Sequence, residues 1–254
     1  MKLVSLNLWA GREFAPLMDY VADQSRDTDI FCFQEVFHTP TSRKMVSEHY
    51  RANLFSELQN ALPHHQGHFA PALQDHGFDG PVDFPIQWGL AMFIRKDVTK
   101  DVPREIYLFG SYNARQYDNS SSPRNLQYVH FNVEGQDYTI AHFHGLWNGQ
   151  GKTDTPDRLE QSRRAKQLLD GTKGKKIFCG DFNLLPDTQS LAILKDGLVD
   201  LIETWGITTT RSSFYLKPDQ YADYTLVSSD VDVEHFAVPP VNVSDHLPME
   251  LRFW

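Results

Sequence analysis

The sequence predicts an α/β fold, and three observations carry that prediction. Short, wholly apolar runs of strand length, such as Ile30-Phe31-Cys32-Phe33 and Ile177-Phe178-Cys179, suit strands buried on both faces. Between such runs lie segments with helical start and stop residues. The clearest is Thr155-Pro156, an N-cap and first-turn proline, followed by Leu159, Ala165, Leu168, Leu169 and a closing Gly171. Finally, several apolar runs end on polar or charged residues, and strand-end loops held by a rigid sheet are where catalytic groups tend to sit.

The chain has 254 residues, long enough for a substantial core, and is read as one domain, 1–254. Its formal net charge of −9 offers no global basic footprint for tight, nonspecific duplex binding, while leaving room for a local positive cleft or a metal. No apolar run approaches the ~20 residues of a membrane span. The first residues read as a strand rather than a signal peptide. Cys32 and Cys179 lie inside apolar runs, so buried thiols are expected rather than a disulfide. These features together give the expectation of a cytoplasmic protein.

Residues 2–8 are the first strand, ending at Asn7-Leu8-Trp9. Pro16 opens a short helix with Leu17, Tyr20 and Val21 on one face. The strand Ile30–Phe33 stops at Gln34-Glu35, which reads either as a solvated strand end or as a site. Residues 42–62 read as a helix, with Leu54, Leu58 and Leu62 in register and Pro63 as the stop. His64 to Gln87 is too long for a simple connection and reads as functional or mobile. Its histidines lack the cysteine partners of a zinc site. Trp88 to Arg95 and residues 103–109 are strands. Gly110 to Asn125, with Tyr112, Arg115, Tyr117 and Arg124, is a surface loop or a rim for a phosphate-bearing substrate.

Leu126–Val133 and Tyr138–Phe143 form a hairpin across Glu134-Gly135-Gln136-Asp137, and the second strand runs into His142-Phe143-His144. Gly149 to Asp154 has no Gly-Lys-Ser/Thr ending in the spacing that a phosphate-cradling loop requires. After the helix from Pro156 to Gly171 comes Ile177-Phe178-Cys179-Gly180-Asp181-Phe182-Asn183, whose carboxylate and amide, two apart, can reach one space at a strand end. A short helix near Ser190–Lys195 and a strand near Leu198–Ile202 follow, and Thr204–Ser213 takes no assignment. Tyr221–Val227 is a strand with Asp223 inside it, a carboxylate that needs a partner there. Val243-Ser244-Asp245-His246 precedes the last strand.

Taken together, Asn7, Glu35, His144, Asp181, Asn183, Asp223, Asp245 and His246, in that order and in those surroundings, resemble the endonuclease/exonuclease/phosphatase superfamily. Its members include DNase I, AP endonucleases of the exonuclease III type, neutral sphingomyelinases, inositol polyphosphate 5-phosphatases, deadenylases and tyrosyl-DNA phosphodiesterases. The resemblance spans the chain and implies a four-layer α/β sandwich, two mixed sheets face to face with helices outside. It also implies a Mg²⁺- or Mn²⁺-dependent phosphoester hydrolase. A phosphodiester, with a nucleic acid as one option, is the first expectation. A small or lipid phosphoester is the alternative, and a non-catalytic binding module on the same fold is the reading from another class. Implied roles are Glu35, Asn7 and Asp245 at the metal, His246 as general base with Asp223 behind it, and Asp181 orienting or deprotonating water. Asn183 and His144 would donate to phosphoryl oxygens. Trp9, where some DNA-repair members carry an acid, departs from the pattern. So does the stretch after His144 with Trp147, Asn148 and Lys152, where Asn148 is either a substrate contact or a turn residue.

Overall fold

The computed structural model describes residues 1–114 and 122–254. Arg115 and Tyr117 of the expected polar loop lie outside the described residues. In chain order, β1 (Lys2–Asn7) passes through α1 (Phe14–Gln24) into β2 (Ile30–His38). Helix α2 (Leu54–Ala61) leads to β3 (His65–Gln74), a small hairpin of β4 (His76–Gly77) and β5 (Gly80–Pro81), and β6 (Gln87–Arg95). Then come β7 (Arg104–Phe109), β8 (Arg124–Val133), β9 (Gln136–His144), α3 (Pro156–Gly171) and β10 (Lys175–Asp181). The chain finishes with α4 (Gln189–Lys195), β11 (Leu198–Asp200), α5 (Leu201–Thr204), β12 (Asp223–Ser228), β13 (Val233–Ala237) and β14 (Met249–Phe253).

The long strands form two six-stranded sheets, ordered β13-β14-β1-β2-β6-β3 and β11-β12-β10-β9-β8-β7. Near the middle of each lies a parallel pair, β1/β2 in one and β9/β10 in the other, flanked by antiparallel neighbours. Both pairs are joined by a crossover helix, α1 or α3, as parallel strands require. The sheets pack face to face with β1 and β2 against β10 and β9. Side chains alternate accordingly. Leu3, Cys32 and Met92 face the second sheet, while Val4, Leu6, Phe31, Phe33 and Phe93 pack with Leu17, Val21, Leu54 and Leu58 of α1 and α2. Helices α3 and α4 pack together on the second sheet. The result is the helix–sheet–sheet–helix sandwich expected from the sequence.

Polar groups also cross between the sheets. Gln34 Nε2 donates to His142 Nδ1 (3.2 Å), His142 Nε2–H donates to Gln127 Oε1 (2.9 Å), and Gln127 Nε2 donates to the His68 carbonyl (3.0 Å). A fully buried imidazole with both nitrogens engaged is a structural group, and burial pushes its pKa down to about 3.

Several boundaries differ from expectation. Strand β2 does not stop at Gln34-Glu35. It continues to His38 through a bulge between Phe33 and Val36, with Glu35 at φ +58°. The helix expected over 42–62 begins only at Leu54. Ahead of it, Val46 N–H bonds to the Tyr50 carbonyl and Ala52 N–H to the Lys44 carbonyl, so that segment closes a tight antiparallel loop. Most of His64 to Gln87 is ordinary sheet. Strand β3 lies at the sheet edge, where Pro71 is tolerated beside a bulge. Strand β12 begins at Asp223 itself, so that carboxylate marks a strand end rather than a strand interior. Only Leu198–Asp200 of the expected 198–202 is strand, and β13 had no signal in the sequence reading.

Candidate active site

The C-terminal ends of the two parallel pairs meet at one end of the sandwich. Asn7 ends β1 and pairs in register with Gln34 of β2, while Asp181 ends β10 opposite His144 of β9 on one side and Asp223 of β12 on the other. Asn7 Nδ2 donates to Asp181 Oδ2 across the sheets at 3.0 Å, and Asn7 Oδ1 accepts the Trp9 N–H at 3.0 Å. The bulge brings Glu35 into the same cleft as Asp181, Asp245 and His246, a cavity of about 470 Å³.

Glycines make the approach possible. A Cβ on Gly180, at φ +132°, would stand 2.2 Å from the Phe143 carbonyl oxygen, and one on Gly145 would stand 1.9 Å from the Phe182 carbonyl oxygen. Only the bare backbone lets β9 and β10 end this close together. Asp181 Oδ1 then accepts the Asn183 N–H (2.9 Å), and Asn183 Nδ2 donates to the Gly145 carbonyl (3.2 Å).

The polar groups form a row. His144 Nε2 lies 3.4 Å from Asp181 Oδ2, and the same oxygen lies 3.6 Å from His246 Nε2. His246 Nδ1 faces both oxygens of Asp223, at 2.8 and 2.9 Å, and Thr210 Oγ1 donates to Asp223 Oδ2 at 2.9 Å. Burial, followed by the Arg211 charge, pushes His246 down to about 4, and burial pushes Asp223 up to about 7. With Nδ1–H donated to the carboxylate, Nε2 carries the lone pair of the ring and faces the Arg211 guanidinium. Burial also holds His144 well below its ordinary value, helped by Arg124, His246 and Arg211.

Sequence reasoning left two cations without a firm role. Arg211 sits in the unassigned Thr204–Ser213 segment. It pairs as an isolated bridge with His246, and its Nη1 meets His246 Nε2 and lies 3.7 Å from Asp245 Oδ2. Arg124, noted only as a rim candidate, is buried at the start of β8, with Nη1 3.5 Å from His144 Nδ1. Lys152 is also buried, donating to the Tyr215 hydroxyl at 2.8 Å. Asn148 does not line the cleft. Its Oδ1 accepts the Gln150 N–H at 3.1 Å, a turn contact within its own loop, and Trp147 lines the wall instead.

The donor set suits a hard divalent cation. Burial, and next the Asp245 carboxylate, pushes the Glu35 carboxyl up to about 8, with Asp181 adding to the push. Carboxylates crowded into one buried space, beside the Asn7 amide, lack the charge that a cation with oxygen preference supplies. Asp181, Asp223 and His246 also offer ligand atoms within 4.8 Å of one another. Asp223, however, already spends its oxygens on His246 and Thr210, which favours a base-and-orienter pair there over a metal ligand.

Residues 4–246 match the model of the endonuclease/exonuclease/phosphatase family. No curated protein matches the chain. Among solved structures, a mannosyl-6-phosphatase of Bacteroides thetaiotaomicron superposes with a TM-score of 0.72 at 20% identity, covering 100% of this chain and 99% of that one. The human Nocturnin catalytic domain, with a bound sulfate, gives 0.66 at 19%, covering 100% and 93%. A humanized D. rerio TDP2 gives 0.61 at 16%, covering 100% and 98%. At these identities the likeness is one of fold.

Proposed function

Because the chain belongs to the endonuclease/exonuclease/phosphatase family, whose members are hydrolases, we propose that it hydrolyses phosphoesters with the help of Mg²⁺ or Mn²⁺ and of the His246–Asp223 pair. The observation that carries the reading is the row His144–Asp181–His246–Asp223 standing beside the crowded carboxylates of Glu35 and Asp245.

Glu35 and Asp245, with Asn7 beside them, are the groups to hold the metal, which when bound withdraws charge from the phosphoryl oxygens and the leaving oxygen. Asp181, fixed by two N–H donors, orients the attacking water against phosphorus. His246 Nε2, freed when the Arg211 guanidinium turns from it to the substrate, takes the water's proton, and Asp223 steadies the imidazolium that forms. His144 and the Asn183 amide face the phosphoryl oxygens as charge spreads over them. The water oxygen becomes bonded to phosphorus, the ester P–O bond breaks, the leaving alkoxide takes a proton from solvent, and His246 returns its own proton to solvent. Of the esters left open by the sequence, a small one is favoured over a duplex by the formal charge of −9 and matches a cleft of about 470 Å³.

The test is a panel of p-nitrophenyl phosphate, bis-p-nitrophenyl phosphate, DNA, RNA, sphingomyelin and inositol phosphates with Mg²⁺ or Mn²⁺. Metal-dependent turnover, lost in His246→Ala with the fold intact, is expected. Silence on the whole panel with Mn²⁺ demonstrably bound would instead favour a binding module.

A further inference from the structure

Resting on the hydrolase reading above, we infer that Arg124 and Arg211 form a two-sided clamp for a phosphoryl dianion, which makes phosphomonoesters the preferred substrates of this cleft. The row of polar contacts is bounded at both ends by a guanidinium. Arg211 meets His246, His246 lies 3.6 Å from Asp181, Asp181 lies 3.4 Å from His144, and His144 lies 3.5 Å from Arg124. The sheet order explains why. Arg124 stands on β8, one side of the β9/β10 pair, and Arg211 is bridged to His246 on the β12 side. Both line the cleft while being only 6% and 8% exposed.

Neither cation is fully used by the protein. The Nε of each is buried without a hydrogen-bond partner, and among the described residues Arg124 makes no ion pair with a carboxylate. Arg124 rests over the Trp88 ring, 5.1 Å from its centroid, and Arg211 over the Tyr215 ring at 4.2 Å. Each ring carries its guanidinium on an aromatic face. A buried cation without a partner is costly, and burial pushes Arg124 down to about 10. An anion entering the cleft removes that cost at Arg124 and gives Arg211 a partner beyond Asp245. A phosphomonoester near neutral pH carries about −1.5 to −2 of charge and three free oxygens. A diester carries one charge and two free oxygens, so it offers the two guanidiniums less of each. The leaving group would lie among aromatic side chains, Phe78, Trp88 and Trp147.

The experiment pairs activity with binding. With Mg²⁺ present, kcat/KM is measured on p-nitrophenyl phosphate and on bis-p-nitrophenyl phosphate, and affinities for methyl phosphate and dimethyl phosphate are measured by calorimetry. The wild type should prefer the monoester by roughly 10²-fold or more, scaled from the loss on removing one charge-stabilising donor. Arg124→Met should lose about 10²-fold on the monoester and under about 10-fold on the diester. Arg124→Lys should recover part of the difference. Arg211→Met, which also touches His246, should weaken methyl phosphate binding more than dimethyl phosphate binding. Equal losses on both esters, or a wild type that prefers the diester, would overturn the clamp while leaving the hydrolase reading intact. A protein that turns over neither ester, yet binds methyl phosphate over dimethyl phosphate through Arg124, would keep the clamp and sink the hydrolase reading. Equal binding of both phosphates by the wild type would overturn the clamp whatever the activity.

Discussion

Replacing Asp223 by Asn tests the base assignment with almost no change of shape. Thr210 Oγ1 already accepts the Ala222 N–H (3.2 Å) and the Asp223 N–H (3.3 Å), so its single proton goes to Asp223 Oδ2. In the variant, the amide oxygen must take the Oδ2 place to keep that bond. The NH₂ then falls where Oδ1 now faces His246 Nδ1 at 2.8 Å. A donor aimed at Nδ1 shifts the imidazole proton to Nε2, removing the lone pair that faces the water and setting an N–H against the Arg211 guanidinium. A wrong tautomer in a comparable acid–base pair costs about 10⁴-fold in kcat. Here about 10³–10⁴-fold is expected, or about 4–5.5 kcal/mol of barrier. Stability should hold or rise slightly, because burial already disfavours the charged carboxylate. The assay is kcat at saturating Mg²⁺ on the best ester of the panel, beside urea unfolding and ¹⁵N detection of the His246 tautomer. Turnover within about threefold of wild type, or an unmoved tautomer, would refute the reasoning.

Three further outcomes are expected. Glu35→Gln should weaken Mn²⁺ binding by 10-fold or more, read by calorimetry, and should stop turnover; unchanged affinity would remove Glu35 from the metal site. His142 has its folded pKa near 3 against about 6.5 unfolded, so the unfolded chain binds the extra proton as pH falls. The stability contributed by neutral His142 is therefore complete above about pH 6.5, and about 2 kcal/mol of it is gone by pH 5, the loss continuing toward pH 3. His142→Gln should flatten that limb of a urea-unfolding pH series by about that amount, and an identical limb would contradict it. Gly145→Ala should lose about 1–3 kcal/mol of stability, because its Cβ meets the Phe182 carbonyl at 1.9 Å; a neutral effect in thermal unfolding would show that the β9 and β10 ends can separate freely.

The sequence exposes what is local. Apolar runs mark β1, β2, β9 and β10, and the polar residues that close β1, β9 and β10 mark the mouth of the cleft, which is why Asn7, His144 and Asp181 could be read before any fold was known, with His246 read from the Ser-Asp-His ahead of the last strand. Features set by register or by distant pairing were hidden. Two residues past an apolar run look like a strand end, yet β2 continues through a bulge that gives Glu35 its direction. His142 and His144 share a face, but only the opposing Gln34 and Gln127 show that one is a strut and the other faces the cleft. Arg211 lies in a Ser/Thr-rich stretch without periodicity, and what places it is a bridge to His246 far along the chain. Strand β3, with Pro71 inside it, shows no clean alternation, and what makes it a sheet edge is its pairing with β6.

The cleft is halved between two sheets, with Asn7 and Glu35 on one and His144, Asp181 and Asp223 on the other, and the Asn7–Asp181 bond is the seam. Turnover is therefore a gauge of how well the halves dock, a more sensitive one than helix or strand content. A slip between the two leaves in gentle urea would disturb the cleft while each sheet keeps its ladder of backbone bonds. Hydrolysis should then fade before the circular dichroism changes.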